Sequence, residues 1–225
     1  HGWLKVNHTF SFANYHNPNR MHFGVIRVLN DDSIAGGKGF GTHPHDNMEI
    51  ITIPLEGALT HKDNMGNGTI IKKGDVQVMS AGTGISHSEY NKSKDQSVSL
   101  LQLWVFPHTQ NVTPRYDQKN IKSLKKTNAL YPVITPNHDN TCMWIHQDAW
   151  FHLGDFNQKT TVPYSLHKKG NGVYAFMIEG RASIEGESLE KRDALGVWET
   201  ESFSITAEEN SRILLGRKCL GGQNE

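Results

Sequence analysis

The sequence predicts an all-β protein built from antiparallel strands that pack as a sandwich or close into barrels. Short runs rich in Val, Ile, Phe, Tyr and Trp alternate with clusters of Gly, Asn, Asp and Pro at a spacing of roughly ten residues. Amphipathic helical periodicity is weak along the whole chain. The 225 residues suffice for one large β unit or two small domains, and either can bury a core without disulfides.

Strands are expected throughout the first half of the chain, after an aromatic opening stretch at 1–15. The glycine-rich stretch at 34–41, the loop at 64–68 and the glycine turn at 80–84 separate several of them. The predicted strands span 23–30, 48–55, 58–63, 69–72, 76–79, 87–90 and 98–106.

A polar stretch at 107–136 separates these strands from a second β-rich half, and its clustered lysines are expected to form a solvated surface. The strand pattern then resumes because apolar runs again alternate with turn residues. The predicted strands of this half span 143–146, 150–156, 160–166, 173–178, 182–184, 195–198, 202–206 and 212–215.

Two short segments of the first half recur in the second half. The segment 53–57, which ends in Glu-Gly, resembles 176–180, and the segment 73–78 resembles 191–197. A duplicated unit explains both similarities, since the offsets between the copies differ by only a few residues. We therefore expect two antiparallel, jelly-roll-like barrels, with a first domain at 1–117, a connection at 118–136 and a second domain at 137–225.

The overall composition argues against several classes of partner. Lys plus Arg and Asp plus Glu number 23 each, so the net charge is zero, whereas direct binding to nucleic acid or an anionic membrane favours a basic surface. No apolar run approaches the roughly 18 residues of a membrane span. Cys142 and Cys219 are far apart, and we expect free thiols in a reducing, cytoplasmic compartment, with a single disulfide between them as the alternative.

Two pairs of metal-ligating residue types stand out by their spacing. His43 and His45 are two residues apart, and so are His87 and Glu89. Residues two apart on a strand point to the same side of a sheet. Two such pairs that face each other across a barrel would offer four ligands to one metal ion. The second half has no copy of them: the expected place, 166–168, contains the single histidine His167.

The carboxylate ligand has two candidates on spacing alone. Glu49 follows His45 by four residues, so an unbroken strand would put it on the ligand face, although residues 46–47 can break that register. Of Glu49 and Glu89, the one that is not the ligand is expected to support the ligands or to act as a general base. The other histidines, His61 among them, are expected to be surface or structural residues.

Three imidazoles and one carboxylate suit Fe(II), Mn, Ni, Cu or Zn. Such a set leaves open positions on a metal that prefers five or six ligands, and these positions can receive water, dioxygen or a substrate oxygen. A closed structural zinc site more often uses cysteines, and neither cysteine of this chain is near the two motifs.

These motifs, taken together, resemble those of the pirins, a branch of the cupin superfamily. The resemblance rests on GTHPH at 41–45 with Met48-Glu49-Ile50, and on SAGTGISHSE at 80–89. HTFSFANY at 8–15, RVLNDD at 27–32 and TPRY at 113–116 are similar to pirin segments as well. The similarity is dense over 3–117 and diffuse beyond, and it is greatest to the short bacterial pirin-like proteins with quercetin 2,3-dioxygenase activity.

The resemblance implies a bicupin that holds one divalent transition metal in its N-terminal barrel. Fe(II) is the expected metal, with Mn, Ni, Co, Cu or Zn as alternatives. The ligands carried over are His43, His45, His87 and Glu89, which leaves Glu49 in a supporting place. The second barrel of pirins is usually without metal.

The activity implied is the cleavage of flavonols such as quercetin with O2 and release of CO, with Glu89 as the proton acceptor. The partners would then be a small phenolic substrate and O2. Aromatic and thioether side chains of the first half are expected to wall the planar substrate: Phe12, Phe23, Phe40 and Met48. The second hypothesis is a metal-dependent regulatory protein that binds a partner enzyme or transcription factor.

Overall fold

The structure of the protein is a computed structural model that describes residues 2–138, 141–166 and 170–219. Regular structure in these residues is entirely β, which confirms the predicted class, and no helix in them is long and apolar enough to cross a membrane. The strands are β1 Leu4–His8, β2 Ile26–Ile34, β3 Gly39–His45, β4 Glu49–Glu56, β5 Ala58–Asp63, β6 Gly68–Lys72, β7 Asp75–Ser80, β8 Ile85–Asn91, β9 Val98–Val105, β10 Arg115–Asn120, β11 Ala129–Thr135, β12 Met143–Trp144, β13 Ala149–Phe156, β14 Thr160–Ser165, β15 Asn171–Glu179, β16 Ala182–Ile184, β17 Glu187–Leu189, β18 Ala194–Val197, β19 Ser202–Ala207 and β20 Ser211–Cys219.

The chain divides into two compact units. The first comprises His1–Lys122 together with Met143–Gln147, and the second comprises Ser123–Cys142 together with Asp148–Glu225. The stretch 118–136, expected as a connection, contains the end of β10 and all of β11. The predicted domain limits at 117 and 137 stay predictions.

The first unit consists of two antiparallel sheets. One has the strand order β1-β2-β9-β4-β7-β10, and the other has the order β3-β8-β5-β6. In the larger sheet, the first strand of the barrel pairs with its last, so that Asn30 lies opposite Gln102. Alternate residues of both sheets face the barrel interior, because successive side chains of a strand point to opposite faces.

The second unit repeats this order of strands. Its sheets run β13-β20-β15-β18, with β11 beside β13, and β14-β19-β16-β17. Strands β13 to β20 therefore follow the connectivity of β2 to β9, strand for strand. This repetition confirms the duplication that the two recurring segments predicted, and the fold is that of two cupin-like barrels.

Both recurring segments are turns of the same shape in the two units. Gly57 and Gly180 end equivalent strands with φ of 75° and 73°, which is the left-handed region that glycine enters without strain. At the second turn, Gly74 has φ 92° and its counterpart Arg192 has φ 73°. In each copy the next residue is an aspartate whose carboxylate accepts a hydrogen bond from a backbone N–H, at 3.1 Å for Asp75 and 2.9 Å for Asp193.

The interiors of the two barrels differ in polarity. The second contains one continuous apolar cluster, in which Val173, Ile205 and Leu215 are completely buried. Among the described residues, the first has smaller apolar clusters around Leu59 and around Met79. It also buries polar side chains, which require hydrogen-bond partners or a bound ion to offset their desolvation: Thr52, His61, His87 and Glu89.

Candidate metal centre

The paired strands β3 and β8 bring the two predicted motifs together. His43 lies directly opposite His87, and Pro44 lies opposite Ser86. Pro44 fixes its own φ and cannot donate a ladder hydrogen bond, so it stiffens the spacing of the histidines on either side. The tight turn before β8 depends on Gly82, which has φ 48° and lies so close to Val112 that a Cβ would be 2.0 Å from its carbonyl oxygen.

Three imidazoles converge at this place. The ring centroids of His43 and His87 are 4.4 Å apart, and those of His45 and His87 are 5.0 Å apart. One ring nitrogen from each residue lies within 4.8 Å of the others. The Nε2 atoms of His45 and His87 are 3.1 Å apart. Two nitrogens bound at right angles to one metal would be about 3.0 Å apart, given metal–nitrogen bonds of about 2.1 Å, so these residues fit a metal ion.

The electrostatics of the cluster favour neutral imidazoles. Burial, reinforced by the neighbouring histidines, lowers the pKa of His87 to about 3. Burial and the nearby His43 lower the pKa of His45 to about 4. Both rings are therefore unprotonated at neutral pH and keep a lone pair for a metal, which is the form of histidine that metals bind.

Glu89 lies on the same strand as His87 and is held from the opposite sheet. Gln102 donates to its Oε2 at 2.9 Å, and the Thr52 hydroxyl lies 3.5 Å from Oε1. Burial raises the pKa of Glu89. One carboxylate oxygen of Glu89 and one ring nitrogen each from His87 and His61 lie within 4.8 Å of one another. His87 thus belongs to both groups of candidate ligand atoms, and the four-ligand set stays a prediction.

Glu49 lies away from the histidines. Asn47 has φ 44°, and this turn separates β3 from β4, so Glu49 begins a strand of the other sheet. There Ser80 donates to its carboxylate at 2.8 Å, and burial raises its pKa to about 6. Among the described residues, neither group of candidate ligand atoms includes Glu49. The geometry therefore does not favour Glu49 as the alternative ligand.

A chain of polar contacts extends from His87 to a carboxylate. His61 Nδ1 lies 3.5 Å from His87 Nδ1, and His61 Nε2 lies 3.0 Å from Asp63 Oδ2. With Nε2 of His87 turned toward the other imidazoles, its Nδ1–H faces a lone pair on His61, whose Nε2–H then points to Asp63. Asp63 is fixed by backbone N–H donors from Met65 and Asn67. Such partners orient the ligands that metals use.

Sequence reasoning missed this chain and one further carboxyl group. His61 and Asp63 form a His-x-Asp pair on β5, which is a weak signal by itself. Asp32 is buried on β2, and its Oδ1 has no hydrogen-bond partner among the described residues. Burial, with the charges of Glu89 and Asp31, raises the pKa of Asp32 to about 7.

The predicted substrate wall is dispersed around the histidines. Phe40 meets the His43 ring at 6.5 Å, and Phe12 packs edge-on against Trp104 at 5.1 Å. Met48 packs on the apolar cluster that also includes Trp104. Phe23 is half-buried and pairs through its backbone with Ile26. The role of these residues as a substrate wall stays a prediction.

Trp104 was not predicted, yet its ring lies against the histidine cluster. It contacts the His45 ring at 4.9 Å between centroids. Its position inside the most apolar predicted strand made it resemble an ordinary core residue.

The equivalent strands of the second barrel present different side chains. Pro163 lies opposite Ser204, as Pro44 lies opposite Ser86. The two prolines therefore align the barrels, and they correct the register expected from the sequence, which put the missing histidine pair at 166–168. His167 lies outside the described residues. The counterparts of His43, His45, His87 and Glu89 are Val162, Tyr164, Ile205 and Ala207.

Comparison with known proteins agrees with this architecture. The Pirin family model matches residues 1–105, and the model of the quercetinase C-terminal cupin domain matches residues 132–215. The chain is 40% identical over 219 residues to the quercetin 2,3-dioxygenase of Escherichia coli K12, covering 96% of this chain and 91% of that protein. It is 42% identical over 218 residues to a putative quercetin 2,3-dioxygenase of Zymomonas mobilis, covering 96% and 91%.

A solved structure connects the fold with a metal. The bacterial pirin YhhW from Escherichia coli, in complex with nickel(II), superposes with a TM-score of 0.91 at 38% identity, covering 96% of this chain and 92% of that one. That structure and the histidine cluster together support a divalent metal in this protein. On these matches, which extend over both barrels, the chain belongs to the pirin family.

Proposed function

We propose that the protein is a metal-dependent dioxygenase that cleaves a flavonol such as quercetin with O2 and releases CO. The observation that carries this proposal is the approach of His45 Nε2 and His87 Nε2 to 3.1 Å in a barrel that also buries Glu89. The naming of the Escherichia coli relative as a quercetin 2,3-dioxygenase supports the substrate class. Because one fold can carry different active sites, the site residues rather than the cupin fold carry this proposal.

In this proposal His43, His45, His87 and Glu89 hold the metal, for which Fe(II) is our assignment. A divalent metal at this place would supply Lewis acidity that lowers the pKa of a phenolic hydroxyl and orients the reactants. The neutral imidazoles supply lone pairs at neutral pH, because burial keeps the pKa of His45 and of His87 well below 7.

Glu89 is the proposed acceptor of the proton from the flavonol 3-hydroxyl. Its raised pKa makes it a stronger base than an exposed carboxylate, and general bases work best when their pKa approaches the working pH. Gln102, which donates to Oε2 at 2.9 Å, fixes the direction of the carboxylate. Trp104 and Phe12 offer flat apolar surface on the His45 side of the cluster, where a planar substrate excludes water.

Turnover of quercetin by the iron-loaded protein under air tests the proposal, with loss of flavonol absorbance and release of CO as the two readouts. We expect His45→Ala to lower kcat/KM by more than about 100-fold, because removing a ligand exceeds the effect of removing a residue that only touches one. His22→Ala is the matched control, since His22 is exposed, belongs to neither group of candidate ligand atoms among the described residues, and bonds to the nearby Gly24 carbonyl at 2.8 Å.

Two results would contradict the proposal. Absence of turnover with Fe, Mn, Ni, Co and Cu would exclude this activity and leave the regulatory hypothesis to be tested by partner capture. Full turnover in His45→Ala would show that the chemistry occurs elsewhere. Metal content is measured for each variant, so that loss of metal and loss of chemistry can be told apart.

A further inference from the structure

The second barrel contains a buried cation without a hydrogen-bond partner. Arg217 on β20 is completely buried, with 0% of its surface exposed. Its Nε, Nη1 and Nη2 atoms have no hydrogen-bond partner among the described residues. A buried charge is strongly destabilising unless it is paired and hydrogen-bonded. An arginine in this state therefore indicates a missing partner.

Trp150 covers one face of the guanidinium group. The Cζ atom of Arg217 lies 3.9 Å from the centroid of the Trp150 ring, and the two residues are opposite each other on β13 and β20. A cation on an aromatic face is attracted by the ring, but this attraction offsets only part of the cost of desolvation. The N–H donors of a guanidinium group lie in its plane and point outward from its edge. A ring that covers one face therefore leaves these donors available for a ligand.

The two ionisable groups that interact with Arg217 among the described residues, His152 and Tyr164, do not neutralise it. Burial, with the charge of Arg217, lowers the pKa of His152 to about 4. Burial raises the pKa of Tyr164 to about 12. Both groups are therefore neutral near pH 7, and Arg217 contributes a single positive charge. A monoanion balances that charge, whereas a dianion would leave a buried negative charge in excess.

Asn171 adds a second unpartnered group on the same face of the sheet. Val173, two residues after Asn171, pairs with Arg217 across strands β15 and β20. Asn171 therefore lies diagonally from Arg217, at the roughly 7–8 Å typical of such diagonal pairs. Asn171 is 2% exposed, and both its Oδ1 and its Nδ2 lack hydrogen-bond partners among the described residues. A complementary ligand must offer it both an acceptor and a donor.

The repeat shows where these groups lie in the barrel. Glu56 pairs with Ser99, and its counterpart Glu179 pairs with Arg212. Counting along the strands from these pairs, Arg217 occupies the place of Trp104, and Asn171 occupies the place of Met48. Trp104 contacts the histidine cluster of the first barrel. Arg217 thus stands beside Tyr164, the counterpart of His45.

We propose that the second barrel binds a small hydroxycarboxylate monoanion, with its carboxylate on the fork of Arg217 and its hydroxyl group on Asn171. Bidentate pairing to a carboxylate matches the planar donor pattern of arginine. A hydroxyl group both donates and accepts, which satisfies the two atoms of the Asn171 amide. The deep burial of both residues limits the ligand to a few heavy atoms.

Calorimetric titration of the full-length, metal-loaded protein with glycolate tests the site. We expect Arg217→Met to weaken glycolate binding by about tenfold or more, the effect of losing hydrogen bonds to a charged group. Asn171→Leu should weaken glycolate binding by about fivefold, the effect of one neutral hydrogen bond, and leave acetate binding unchanged. Arg181→Met is the matched control, because Arg181 is exposed in the same barrel and already paired with Glu190 at 2.9 Å.

Several outcomes would overturn the proposal. One is the absence of glycolate binding to the wild-type protein, and another is equal binding to wild type and Arg217→Met. Binding that survives Arg217→Met and disappears in His45→Ala would assign the anion to the metal centre. Chloride or phosphate that competes equally at matched ionic strength would show a general anion site.

A second measurement covers the case in which Arg217→Met fails to fold. Arg217→Lys keeps the charge and loses the fork, so it should bind glycolate more weakly than wild type while retaining a folded barrel. A crystal structure of the wild-type protein with glycolate should show the ligand between Arg217 and Asn171, and its absence from that place would refute the site.

Discussion

The two barrels have the same strand order, but their equivalent strand pairs line the interior with different side chains. In the first, the strand pair β3–β8 presents His43, His45 and His87 to a polar interior. In the second, the equivalent pair β14–β19 presents Val162, Tyr164 and Ile205 to a continuous apolar cluster. The proline that stiffens the pair and the serine opposite it are present in both.

This difference separates what builds the frame from what performs chemistry. The turns at Gly57 and Gly180, and the carboxylates of Asp75 and Asp193, occur in both units. They determine where each strand ends, whatever the inward residues are. The inward positions then decide between apolar stabilisation and ligand presentation, which is how one fold supports different sites.

Truncating equivalent inward residues should give the largest contrast in stability. In metal-free protein, Ile205→Ala should lower the free energy of unfolding by about 2–5 kcal/mol, because it leaves a cavity in a close-packed core. His87→Ala should lower the free energy of unfolding by about 1 kcal/mol, the usual effect of a substitution that removes little buried apolar surface. Denaturant unfolding measures both values. Equal losses would show that the first interior is packed as an apolar core after all.

Asp32 should make the stability of the first barrel depend on pH. Its folded-state pKa is about 7 against an ordinary value of 3.8, so between these values the folded chain retains a proton that the unfolded chain has released. Stability from this group is therefore complete at low pH and falls as pH rises, by up to about 1.4 kcal/mol per pH unit. Its counterpart by strand register in the second barrel is Gly154, which has no side chain.

Comparison of wild type with Asp32→Asn isolates this effect. In metal-free protein, the variant should gain stability relative to wild type as pH rises from about 4 to about 7, as the pKa shift requires. Denaturant unfolding at several pH values measures the difference between the two curves. Parallel curves would show that Asp32 does not titrate in this range.

Of the three effects predicted here, loss of the contact between His61 and His87 should be the smallest. His61→Gln removes the link to Asp63, so the dissociation constant of the metal should rise by about 10–100-fold. Competition with a chelator measures that constant without any activity assay, and His22→Gln is the control. An unchanged constant would show that the His61–Asp63 pair is structural only.

The frame and the two ligand motifs were predictable because they are local. The His-x-His and His-x-Glu pairs lie on strands β3 and β8, where alternation alone places both members on one face. Spacing alone left Glu49 open as an alternative ligand, and after the turn at Asn47 it begins β4, a strand of the other sheet. Residues 46–47 were the expected place for a break in the register, and the positive φ of Asn47 agrees with a turn there.

The contacts that surround the candidate ligands were not predictable from spacing. Gln102 reaches Glu89 from β9, and His61 reaches His87 from β5, so the sequence gives no local sign of either contact. Strand pairing between distant residues also explains why the counterpart of His43 and His45 in the second barrel was expected at 166–168. Only the pairing of Pro163 with Ser204 establishes the register of the second barrel.

The interleaving of the two units along the chain has a consequence for the order of folding. Each barrel closes by pairing its first and last strands, β2 with β9 and β13 with β20, and such non-local closure is slow compared with local helix formation. During synthesis the first barrel can close once β9 has emerged, since domains fold from the N-terminus onward. Its unit, however, also includes Met143–Gln147, which follow β11 of the second unit. The first unit is therefore the first to begin folding, but it is completed only after part of the second has been made.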